Sequence, residues 1–186
     1  MEERCDLATC TELTIAAAGT SDHFIDPATS RATLNAPRVL GNVLGGSDFQ
    51  LSALVQVEFE STFDAGVLML WADDLTWAKL CLEYSPEHRP TVVSVVTRGL
   101  SDDANAMTVD DGQVWLRASR RGASYAFHAS TDGLRWDLVR HFALPADPAA
   151  VRAGFSAQSP TGAGCVSHFS QVRFQRAPLA DLRDGT

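Results

Sequence analysis

Turn-forming residues interrupt this 186-residue chain roughly every ten positions, and no run of about a dozen residues between them keeps a helical hydrophobic period. Short alternating segments fill the intervals. In Leu51–Glu60, Leu51, Ala53, Val55, Val57 and Phe59 fall on one side and Ser52, Gln56, Glu58 and Glu60 on the other, with Leu54 the exception. Side chains alternate across a strand, so this is a half-buried strand. Gly66–Trp71 is apolar on both sides and reads as a central strand. Further strands are expected at Glu12–Ala18, Arg38–Val43 (an edge), Trp77–Tyr84, Thr91–Thr97, Gln113–Ser119, Ala123–Ala129, Leu134–Arg140, Ala150–Ala157 and Cys165–Phe174. The strands from Leu51 to Thr97 are expected to form one meander of hairpins. The polar stretch after Arg98-Gly99 reads as the longest irregular connection, where binding groups tend to sit. The pattern predicts an all-β antiparallel sandwich forming a single domain over residues 1–176, with 177–186 a frayed tail.

A net charge of −8 disfavours nucleic acid and anionic membrane surfaces as partners, because both repel such a chain at long range. The acidic start, Met1-Glu-Glu-Arg-Cys-Asp6, lacks the basic and then apolar pattern of a secretory signal, so a cytoplasmic location is expected. Cys5, Cys10, Cys81 and Cys165 include no C-x-x-C pair and are expected as free thiols. Asp22, His23 and Asp26 lie close together, but their spacing matches no metal-ligand motif and reads as turn chemistry. No metal or cofactor is assigned.

Trp77–Tyr84 carries the sharpest chemical hint. Ala78, Leu80, Leu82 and Tyr84 alternate with Trp77, Lys79, Cys81 and Glu83, so one face is core and the other is chemistry. Lys79 is the only lysine among fifteen Lys and Arg residues. A compact ammonium, rather than a planar fork, is wanted there. Lys79 and Glu83 are about 13 Å apart along the strand. A carboxylate on another element is therefore expected as the lysine's partner, with Glu58, Glu60 and Asp102 the candidates. Gln113–Ser119 repeats the pairing of ring and cation in Trp115 and Arg117.

Several motifs occur in an order that resembles one family. They are Asp64-Ala-Gly66-Val-Leu-Met-Leu, Trp77-Ala-Lys79-Leu-Cys-Leu-Glu83, Val95-Val-Thr97 with Ser101-Asp102, Trp115-Leu-Arg117, Ser130-x-Asp132-Gly133-x-x-Trp136 and Gly154-x-x-x-x-Ser159-Pro160. The family is the domain of unknown function 1349, regulation-of-enolase-like, within the concanavalin A-like lectin/glucanase superfamily. The resemblance covers about residues 12–175. It implies a jelly-roll sandwich of two curved antiparallel sheets whose concave face binds saccharides in many superfamily members. The family usually has an aromatic residue after the Ser-Asp pair, where this chain has Asp103.

The candidate ligand-binding residues are Trp77, Lys79, Glu83, Ser94, Ser101, Asp102, Trp115 and Arg117. An indole beside hydrogen-bonding groups suits a sugar, whose ring face stacks while its hydroxyls take donors and acceptors. The plainer alternative is a covered indole and a lysine stem reaching solvent. The leading expectation is non-catalytic binding of a carbohydrate or sugar-derived small molecule on the concave face. One rival is a glycoside hydrolase or lyase using Glu58 and Glu60, whose spacing on one strand approaches the about 5 to 5.5 Å of a retaining pair. The other is a protein-interaction module regulating a metabolic enzyme.

Overall fold

A computed structural model describes residues 2–43 and 46–186; Leu44 and Gly45, in the glycine-broken stretch after Arg38–Val43, lie outside the described residues, as does Met1. The described residues form fifteen strands: β1 Glu2–Arg4, β2 Leu13–Ala18, β3 His23–Ile25, β4 Ala32–Leu34, β5 Arg38–Asn42, β6 Phe49–Glu58, β7 Ala65–Asp73, β8 Thr76–Tyr84, β9 Pro90–Arg98, β10 Leu100–Thr108, β11 Gln113–Arg121, β12 Ser124–Ser130, β13 Asp137–Phe142, β14 Arg152–Gln158 and β15 Gly164–Gln175. They make a seven-stranded sheet ordered β1-β5-β14-β7-β8-β9-β10 and a six-stranded sheet ordered β13-β12-β11-β6-β15-β2, with β3-β4 a separate hairpin. The result is the jelly-roll β-sandwich that the pattern and the resemblance predict.

The core lies between the two large sheets. Leu68, Leu70, Ala78, Leu80, Leu82, Val92 and Val96 face it from the first, and Leu51, Ala53, Val55, Val114, Leu116, Ala118 and Phe127 from the second. Burying such side chains is worth about 1.5–3 kcal/mol each, which fixes which face of every strand turns inward. The sheets approach closely at Gly66, where a Cβ would lie 2.7 Å from Val55.

Four expectations need correction. The meander consists of β7 to β10, while β6 belongs to the opposite sheet. This agrees with its single buried face, in contrast to β7, which is covered on both. The polar stretch after Gly99 is strand β10 rather than a loop. Gly99, at φ 81°, makes the tight connection, and Leu100 to Thr108 then pair along β9 as a polar sheet edge. Acidic and amide side chains on an edge suit a strand with no further partner, and for that reason its composition resembles a loop. β1 pairs in parallel with β5, so β5 is not the edge that was expected. Residues 177–186 are docked rather than frayed: Leu179 and Leu182 are buried and pack with Ala126 on the outer face of the six-stranded sheet.

Candidate functional site

The outer face of the seven-stranded sheet carries the odd residues of β8, and the β3-β4 hairpin lies across it. Ile25, Leu40, Ala65, Val67, Met69, Trp71, Trp77, Cys81, Val93 and Val95 form a second apolar cluster there, with Phe24 and Leu34 packed on it. Trp71 and Trp77 stack at 6.0 Å, and His23 stands edge-on to both at 5.3 and 6.2 Å. The Arg38 guanidinium sits 3.8 Å over the Trp71 ring. Burial, reinforced by the charges of Lys79 and Arg38, drives the His23 imidazole down to about 2, so it is neutral. Trp77 is fully buried and cannot stack on a ligand.

Local hydrogen bonds seat the hairpin. The Asp26 carboxylate accepts the N–H groups of Ala28 and Thr29 as turn chemistry, whereas Asp22 and His23 of the same cluster do other work: Asp22 pairs with Lys79 and His23 packs on the tryptophans. Among the described residues no group of three His, Cys, Asp or Glu side chains is placed to hold a metal. Ser101 Oγ accepts Ile25 N–H at 2.9 Å and lies 2.9 Å from Thr97 Oγ1, pinning β3 to the sheet. A bridge between Ser21 and Ser159 sets the start of the hairpin beside the end of β14.

That bridge completes the site. Lys79 is 2% exposed and donates from Nζ to Asp22 Oδ1 at 3.1 Å and to Gln158 Oε1 at 2.8 Å. Burial alone would lower the ammonium, but the Asp22 and Glu83 carboxylates outweigh it and hold Lys79 above the usual lysine value. The lysine's partner is therefore Asp22, not Glu58, Glu60 or Asp102. Glu83 has no hydrogen-bond partner among the described residues. Burial raises its carboxyl to about 7 against the pull of Lys79, and Asp22 and Asp103 add to the rise. Lys79 and Glu83, with Asp22, Phe24, Phe63 and Gln158 among the walls, line a hollow of about 200 Å³. It shares Asp22, Phe24, Phe63 and Pro160 with a wider hollow of about 880 Å³ under the hairpin. Phe63, at φ 71° and 37% exposed, stands at the mouth.

The other predicted residues are dispersed. Ser94 pairs with Leu80 and faces the core side of β9. Asp102 is ion-paired at 2.8 Å with Arg140 of β13, tying the two sheet edges together. Trp115 and Arg117 are on the outer face of the six-stranded sheet, across the sandwich from Lys79. There Trp115 packs under Gly133, and Arg117 stacks at 4.2 Å on Trp136 and donates to Gly185 O at 2.7 Å. Glu58 also belongs to that sheet and is bonded at 2.9 Å to His168. Glu60 lies beyond the end of β6.

Sequence reasoning missed Asp22, Phe24, Phe63 and Gln158. A signal was present for two of them: Asp22 adjoins His23 in a cluster of polar groups, and Gln158 immediately precedes the Ser159-Pro160 motif.

Known proteins share this architecture. A crystal structure of a functionally unknown protein from Saccharomyces cerevisiae is similar at 25% identity and a TM-score of 0.79, over 91% of this chain and 90% of that one. The GH43 protein BlXynB from Bacillus licheniformis is similar in fold at 14% identity and a TM-score of 0.63, over 89% of this chain and 33% of that chain. Regulation of enolase protein 1 of Saccharomyces cerevisiae is 33% identical over 109 residues, which is 56% of this chain and 54% of that protein, so the match spans about half the relative's length. Residues 3–177 match the family model described as protein of unknown function (DUF1349), and the chain belongs to that family.

Proposed function

We propose that the hollow between Lys79 and Glu83 binds, without catalysis, a sugar or sugar-derived small molecule of about one ring. The observation that carries this reading is a carboxyl with no hydrogen-bond partner among the described residues and a buried ammonium that line one pocket together, walled by Phe24 and Phe63. The Glu83 carboxyl is half-buried and lines the hollow, where it can accept a hydrogen bond from a ligand hydroxyl. The aromatic walls supply an apolar surface for a ring face, a role that Trp77 cannot take. At about 200 Å³ the inner hollow is below the usual range of about 300–1,000 Å³ for drug-sized ligands, which favours a single ring with its substituents in the wider hollow outside.

Isothermal titration of neutral monosaccharides and sugar acids into the parent and Phe63→Ala tests the reading. Saturable binding, weakened at least about tenfold by removing the aromatic wall, supports it. Absence of saturable binding across the panel, or equal affinity in the variant, overturns it. A second reading rests on the name of the yeast relative, which points to a protein partner; it gains weight if the panel is silent and a purified enolase binds the parent.

A further inference from the structure

The six-stranded sheet carries a different chemistry on its outer face. Arg117 of β11 stands directly opposite Ser52 of β6, and Ser52 directly opposite Arg173 of β15. Three adjacent strands therefore present guanidinium, hydroxyl and guanidinium in one row. With strands about 4.8 Å apart, the two arginine backbones are about 10 Å apart, a separation at which long side chains can converge on a group between them.

Arg173 is in this row because β15 has a bulge. The register shifts between Ser170 and Arg173, with Gln171 at φ 50°. In unbroken register Arg173 would oppose Leu51 and point into the core; the extra residue turns it outward beside Ser52 while Val172 stays buried.

Arg117 and Arg173, with Ser52, Gln175 and Trp136, line a hollow of about 150 Å³ to which none of the described residues brings a carboxylate. Arg117 is 6% exposed, and burial lowers its guanidinium to about 10. Its Nε is buried without a hydrogen-bond partner, and among the described residues no carboxylate pairs with either arginine. Lys79, the buried cation of the other sheet, has a carboxylate 3.1 Å away. Two arginines lining one polar hollow, one of them buried and without a counter-charge among the described residues, suit an oxyanion in charge and donor type. The net charge of −8 repels anions at long range, so the local row must supply any attraction.

We propose that Arg117, Ser52 and Arg173 form an oxyanion site that takes the phosphate or sulfate group of a small molecule. The site is independent of the hollow at Lys79. Inorganic phosphate and inorganic sulfate are titrated into the parent, Arg173→Gln and Phe63→Ala at matched ionic strength, with one sugar phosphate and its unphosphorylated sugar as further arms. Saturable phosphate or sulfate binding that weakens at least about tenfold in Arg173→Gln and is unchanged in Phe63→Ala supports the site. Arg173 is an exposed strand residue, so this variant keeps the fold. A sugar phosphate that binds more tightly than inorganic phosphate, and loses that affinity in Arg173→Gln, identifies an organic phosphate as the ligand; equal affinity identifies the free ion. Responses no greater than those to matched chloride, or equal affinity in Arg173→Gln, overturn the proposal.

Discussion

The two outer faces of the sandwich look alike in sequence and differ in electrostatics. Each has a strand with a tryptophan two residues before a cation, Trp77 and Lys79 on β8 and Trp115 and Arg117 on β11. Each is crossed by a separate piece of chain, the β3-β4 hairpin on one and residues 177–186 on the other. On the first face the covering segment brings a carboxylate, and Asp22 pairs with Lys79. On the second it brings the Gly185 carbonyl oxygen, which leaves Arg117 its full charge. What covers a face thus decides whether its cation is spent within the fold or kept for an anion.

The largest effect expected from this difference comes from removing each cation. Lys79→Met leaves Asp22 without its ammonium and should cost about 3–5 kcal/mol. A chain of this size should then melt about 10 °C lower. Arg117→Met strands no carboxylate and should cost only about 1 kcal/mol, the loss of one carbonyl bond and a stacking contact. Equal losses in thermal unfolding would erase the distinction between the faces.

A middle-sized effect concerns the covering segments. Leu182 is 7% exposed, and Leu182→Ala should cost about 2 kcal/mol and increase amide exchange in residues 177–186. Unchanged exchange there would mean that the segment's seat does not depend on this side chain.

The smallest effect is a pH slope. Folding raises Glu83 from 4.5 to about 7, so between those values the folded state keeps a proton that the unfolded state has released. Stability from this group is therefore present below pH 4.5 and lost as pH rises through about 7. Glu83→Gln should match the parent near pH 4.5 and exceed it by a margin that grows as the pH rises to 8. His23 slopes the other way: its contribution is complete above 6.5 and is lost as pH falls towards about 2. Comparing the parent with Glu83→Gln isolates the Glu83 slope, and a constant difference across pH would contradict the raised carboxyl.

Much of the sandwich was legible because strand alternation is a local property. Leu51, Ala53 and Val55 identify their face within a few residues, and the Asp132-Gly133 turn marks its hairpin just as locally. Lys79 stood out by scarcity. Its partner did not, because Asp22 is 57 residues away and reaches it only through the bridge between Ser21 and Ser159. Arg173 was hidden for a related reason: a one-residue bulge, invisible in hydrophobic alternation, reverses the direction it faces. β10 was misread because the edge of a sheet and a loop favour the same polar residues.

Thermal unfolding of the parent, Phe63→Ala and Arg173→Gln against neutral sugars tests the assignment of the Lys79 hollow most directly. At about a hundred times its Kd, a sugar should stabilise the parent by about 2.7 kcal/mol, a rise of roughly 5 to 10 °C. The rise should survive in Arg173→Gln and vanish in Phe63→Ala. A shift that persists in Phe63→Ala, or no shift with any sugar, would contradict a ligand site between Lys79 and Glu83.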